Sequence, residues 1–146
     1  MDRTEPQGFR VSRIEVLRGE ILVSRAVRDM LEPGHAGMAE KFASLRRYRL
    51  RSGSVAELMH LVDDVFAEQI QRMEGFEAYH ALDCGRGEIV SISLFRDQAT
   101  AEESDERALQ FVSDNLGAFD LERTEVIGGP VTVSRALADL LEPAHA

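Results

Sequence analysis

Three arginines at alternate positions, Arg47, Arg49 and Arg51, form the densest patch of chemistry in this chain. On an extended strand, residues two apart share a face, so the row would present three guanidinium forks side by side. Such a row needs carboxylates or a bound anion, and an anionic or phenolic ligand is expected beside it. Tyr48 sits among them with the opposite parity and faces whatever the strand buries. His60 and Asp64 are four residues apart, a spacing that orients an imidazole or supplies part of a metal site. No third ligand accompanies them, so no metal is expected and the pair reads as solvated. Tyr79 and His80 are adjacent on a β-type run, which sends them to opposite faces, His80 alongside Phe76, Ala78 and Leu82. A histidine on an apolar face is more often a hydrogen-bonded packing residue than a base. The catalytic candidates are therefore His60, Tyr48 and His80, and the ligand-binding candidates Arg47, Arg49, Arg51 and Tyr79. No zinc-protease, phosphate-loop, nucleophile-elbow or dinucleotide motif is present.

These residues need a scaffold, and the pattern supplies one. Residues 42–51 read as a strand with Phe42, Tyr48 and Leu50 on one side and Leu45 and the arginine row on the other. Ser54, with Glu57 at the capping-box position, opens a long helix. Its apolar residues Val55, Leu58, Met59, Val62, Phe66, Ile70 and Met73 recur at steps of three and four, and Gly75 ends it. A second strand covers residues 76–84, Gly85-Arg86-Gly87 turns, and a third covers 89–95, apolar or small on both faces. A second helix follows from about residue 101 to 115. The fourth strand spans roughly residues 123–133, interrupted at Gly128-Gly129-Pro130 by a bulge or lying at an edge. Ser134 then caps a short helix that Pro143 closes. The order β-α-β-β-α-β predicts a ferredoxin-like α+β fold. Its bare sheet face calls for a second sheet, most simply that of a homodimer partner.

Residues 14–36 align without gaps on residues 124–146, at a constant offset of 110, with 13 of 23 positions identical. That is a duplication. Residues 1–38 thus read as an N-terminal extension that copies the tail of the domain formed by residues 39–146. The extension carries a strand at residues 20–24 and a helix at 25–31. It is expected to dock where a domain-terminal strand would dock, extending the sheet or swapping across a dimer.

Composition narrows the partners. The net charge of −9 argues against nucleic acid. The charge is uneven: residues 1–53 hold 11 Lys/Arg against 7 Asp/Glu, while residues 54–146 hold 6 against 19. No apolar run reaches the roughly 20 residues that cross a bilayer, so no membrane is expected. The N-terminus lacks the apolar core of a signal peptide, and Cys84 is alone, which fits a cytoplasmic protein.

The stretch Gly75-Phe76-Glu77-Ala78-Tyr79-His80, then Gly87 to Phe95, Ala101-Glu102-Glu103-Ser104 and Gly129-Pro130-Val131-Thr132-Val133, resembles the antibiotic biosynthesis monooxygenase-like domain. That family belongs to the dimeric α/β-barrel superfamily, and the resemblance covers about residues 40–135. It implies a dimeric α/β barrel and a cofactor-independent monooxygenase acting on a small aromatic or polyketide-like compound, with no cofactor. Such an enzyme must form a substrate carbanion or phenolate that passes an electron to oxygen. That requires a base, donors for the developing anion and an apolar pocket. The family's enzymes tend to use a Trp and an Asn in the pocket. This chain has no Trp, and its one Asn is Asn115. A haem-degrading role is accordingly not implied. The alternative is a non-catalytic small-ligand-binding or assembly module of the same superfamily.

Overall fold

Strand alternation in residues 42–52 sets the frame. The computed structural model describes residues 15–27 and 41–135. The first strand, β1 (Glu20–Ala26), precedes the 11-residue β2 (Phe42–Ser52). A helix in three pieces follows: α1 (Val55–Leu61), a π-helical stretch (Val62–Phe66) and α2 (Ala67–Gln71). Then come β3 (Phe76–Asp83), β4 (Glu88–Phe95), α3 (Gln98–Asn115) and β5 (Asp120–Pro130). All strand pairs are antiparallel, in the order β1-β3-β4-β2-β5. Without β1, the order β3-β4-β2-β5 is that of a ferredoxin-like core, the expected α+β class. Leu58, Phe66, Ile70, Phe95 and Phe111 fill the layer between helices and sheet. Among the described residues no helix is long and apolar enough to cross a membrane.

Local chemistry fixes the joints. The Ser54 side chain accepts the Glu57 N–H at 3.2 Å and starts α1 as expected. The β3–β4 turn uses positive φ at Gly85, Arg86 and Gly87. A Cβ at Gly87 would overlap the Leu50 carbonyl oxygen, so that glycine lets β2 and the turn close up.

Four expectations need correction. The first helix is not uniform: apolar four-residue steps (Leu58, Val62, Phe66, Ile70) drift around a 3.6-residue helix, and the wider π turn takes up that drift. Second, α3 begins at Gln98, because Asp97 caps it by accepting the Thr100 N–H at 2.8 Å. Third, β5 starts at Asp120 and runs through Gly128 and Gly129, which pair with Ser44 and Ala43. Its pairing with β2 shifts register twice, at Thr124 and at Arg51, and Pro130 ends an edge strand, where no N–H is demanded. Fourth, Arg25 and Ala26, expected in a helix, continue β1 along the β3 edge. Val27, also expected in that helix, is not helical and donates its N–H to the Glu77 carbonyl at 2.9 Å. Residues 28–31 of that expected helix, and the one placed after Ser134 from residue 136 on, lie outside the described residues.

A helix-side cavity as the candidate functional site

Period-two alternation puts Ser44, Arg46, Tyr48 and Leu50 of β2 on the face that the helices cover, opposite Ser93, Ser91 and Ile89 of β4. Arg46 is 0% exposed. A buried cation is tolerable only when paired and hydrogen-bonded, and Arg46 is both. Its Nε donates to Ser91 Oγ at 3.0 Å and its Nη2 to Ser93 Oγ at 2.6 Å. Its Nη1 donates to Asp105 Oδ1 at 2.8 Å and Ser104 Oγ at 3.3 Å. Ser44 Oγ donates to the other Asp105 oxygen at 2.9 Å, which fixes that carboxylate between β2 and α3. The guanidinium carbon lies 6.0 Å from the centre of the Phe66 ring.

Beside this network is a cavity of about 40 Å³, lined by Met59, Phe66, Phe111 and other apolar side chains together with Tyr48, Tyr79 and Ser91. Phe66 packs edge-on to Tyr79 (centroids 5.4 Å apart, 70° between planes) and 5.3 Å from Phe111. Burial pushes the Tyr79 phenol well above its ordinary pKa, while the Arg46 charge pulls the other way. Tyr79 therefore remains a protonated donor at working pH. Ser91, which faces both the cavity and the Arg46 fork, connects the two. The arrangement suits a flat apolar group carrying one acceptor or acidic hydroxyl at the sheet end.

Of the candidate residues, the fold brings Tyr48 and Tyr79 together in this cavity. His60 is not with them: its side chain is 76% exposed and its Nε2 lies 3.0 Å from Asp64 Oδ2. His80 is on the opposite sheet face, half-buried, its Nδ1 2.9 Å from Ser24 Oγ. The arginine row also occupies that opposite face, and carboxylates meet it. Arg47 bonds Glu88 (2.8 Å), Glu15 (3.0 Å) and Glu125 (3.3 Å), Arg49 bonds Glu88 (3.2 Å), and Arg51 bonds Glu122 (2.5 Å). The arginine behind the cavity is Arg46, which was not singled out from the sequence. Its signal was parity with Tyr48 and Leu50, and the alternate serines Ser91 and Ser93. Among the described residues no cluster of three or more His, Cys, Asp or Glu could hold a metal ion.

Burial lowers the His80 pKa below its ordinary value. The unfolded chain therefore takes up the proton first, and stability present above about pH 6.5 is lost as pH falls below it. Thermal melts between about pH 7.5 and about pH 5.5 should show a falling Tm, with His80→Gln flattening the dependence. An unchanged slope in that variant would assign the effect to other groups.

No protein-family model matches the chain, and no curated protein does. Among solved structures, a mutant of SnoaB, a cofactor-independent oxygenase from Streptomyces nogalater, is similar at a TM-score of 0.43 and 19% identity. The match covers 66% of this chain and 96% of that one.

Proposed function

We propose that the chain is a cofactor-independent monooxygenase-like enzyme of the antibiotic biosynthesis monooxygenase-like family, taking a small aromatic, polyketide-like phenol into the helix-side cavity. The observation that supports this is a group of three hydroxyls (Tyr48, Tyr79 and Ser91) in an otherwise apolar slot, one of them bonded to the fully buried Arg46. Donors backed by a fixed cation favour a phenolate over a phenol, and a phenolate is the form that gives an electron to oxygen. Oxidation of a ring CH2 to C=O consumes one O2 and releases one water, so no external reductant is needed. Benzene occupies an apolar cavity of about 150 Å³. At about 40 Å³, this cavity admits a ring only after Met59 or Phe66 shifts. A cytoplasmic homodimer whose second sheet covers the open face, as in a dimeric α/β barrel, completes the proposal.

The second reading, a non-catalytic ligand-binding or assembly module, is favoured by one observation. Neither His60 nor His80 reaches the cavity, and no described carboxylate lines it. Calorimetric titration with a naphthol, followed by oxygen-electrode traces on the same mixture, separates the two. Oxygen uptake that falls by about 100-fold in Tyr79→Phe supports the enzyme. Binding without uptake leaves the module, and no binding at all removes both.

A further inference from the structure

Of the 17 basic side chains in this sequence one is a lysine, Lys41, and the rest are arginine. Lysines are almost never buried without a partner, yet Lys41 is 6% exposed. Among the described residues no hydrogen bond or ion pair meets its ammonium. Burying an ammonium is costly unless an anion accompanies it.

Lys41 lines a cavity of about 540 Å³ at the end of the sheet where β2 begins and β4 and β5 finish. Its carbonyl accepts the Val131 N–H at 2.9 Å, and Phe42 pairs with Phe95 on one side and Pro130 on the other. Tyr48 is six residues further along β2, about 20 Å away at the usual strand rise, so this is not the helix-side cavity. Phe42, Pro130 and Val131 give the lining an apolar part, and its charged groups are Lys41, Arg96 and Asp97. Asp97 is committed to capping α3: its Oδ1 accepts both the Thr100 N–H and the Thr100 hydroxyl at 2.8 Å. Those bonds hold its carboxyl below the usual carboxylate range, so it stays ionised. Arg96 Nε lies 3.6 Å from Glu77 Oε2, too far for a hydrogen bond, which leaves the guanidinium donors to give.

We infer that this cavity binds an amphipathic monocarboxylate, with its carboxylate on Lys41 and Arg96 and its hydrocarbon over Phe42, Pro130 and Val131. Two cations against one fixed carboxylate leave a single positive charge to match. A dianion such as a phosphate monoester would set a second negative charge beside Asp97, which selects against it. The volume lies within the range of pockets that hold small molecules. The inference stands apart from the helix-side cavity and the phenol proposed there.

Having one lysine makes the test direct. Full-length protein labelled with 13C-lysine gives one Lys Cε signal by NMR, remote from the helix-side cavity. Hexanoate should move that signal saturably. Acetate, with the charge and no chain, and hexan-1-ol, with the chain and no charge, should move it far less. A signal unmoved by hexanoate, or moved equally by either control, would overturn the inference. By calorimetric titration, Lys41→Met should weaken hexanoate about tenfold or more, the loss of a hydrogen bond to a charged group. Wild-type affinity in that variant would also overturn it. Arg96→Gln, at a side chain 67% exposed, should weaken hexanoate severalfold without endangering the fold, and keeps the test open if Lys41→Met does not fold. Hexyl phosphate binding as tightly as hexanoate, or more tightly, would overturn the choice of a monoanion.

Discussion

Replacing Arg46 with alanine should lower the free energy of unfolding by about 3–5 kcal/mol, the usual cost of removing one partner from a buried ion pair. The change leaves Asp105 with a single Ser44 hydrogen bond on the helix side and deprives the buried Ser91 and Ser93 hydroxyls of their cationic donor. It also removes the aliphatic stem from a 0% exposed position, so a void adds to the unpaired charge. Urea unfolding should show the midpoint fall with an unchanged slope. Two comparisons decide the cause. Arg49→Ala removes a guanidinium whose side chain is 48% exposed, so its pairing with Glu88 contributes no more than about 1 kcal/mol. The double variant Arg46→Met with Asp105→Leu removes both charges while keeping volume, and should recover much of the loss. If Arg46→Ala costs no more than Arg49→Ala, the buried network is not a stability determinant.

The history of Arg46 also shows where sequence reading stops. Parity along residues 42–51 correctly sends Tyr48 and Leu50 inward and the alternate arginines outward. The same parity sends Ser44 and Arg46 inward, but charged residues are almost never fully buried, so an arginine there reads as solvent-facing by default. What reverses that default is a set of partners 45 to 59 residues away, Ser91, Ser93, Ser104 and Asp105, which only folding brings together. Local signals fared better. Ser54 caps α1, Gly85-Arg86-Gly87 turns the hairpin, and Tyr79 and His80 point to opposite faces.

The N-terminal copy was legible as a strand but not as a partner for β3. Nothing within residues 20–26 says which edge they take, since any edge offers the same row of N–H and C=O groups. The helix expected from Arg25 onward failed at its first two residues for the same reason. A Ser followed by Arg-Ala-Val reads locally as a capped helix, and pairing of Arg25 with Tyr79 and Ala26 with Ala78 overrides that weak propensity. The arginine row was legible as a face, yet its partners were not. Glu88, Glu122 and Glu125 arrive from the neighbouring strands, and pairing register decides that they do.

Phe66→Ala should cost about 3–5 kcal/mol and, unlike the loss at Arg46, should be partly reversible by a ligand. The ring stands at the end of the π-helical stretch and touches Tyr79, Phe111 and the face presented to Arg46, so it forms the wall between the cavity and the buried cation. Removing it adds roughly a phenyl group's volume to a cavity of about 40 Å³, in a lining that is apolar except for three hydroxyls. A void of that kind stays dry and takes up benzene-sized molecules. Benzene or indole at a hundredfold excess over its Kd should therefore return about 2.7 kcal/mol, and neither should shift the wild-type melt. Phenol should bind the variant more tightly than benzene, because its hydroxyl can add a hydrogen bond at Tyr79 or Ser91 that benzene cannot make. If every aromatic leaves the Tm of Phe66→Ala unchanged, the walls have collapsed inward, and the cavity is a packing gap with no capacity to hold a ring. Equal stabilisation by benzene and phenol would show instead that the slot exists but the hydroxyl end does not read its ligand, which would take away the chemical half of the oxygenase proposal.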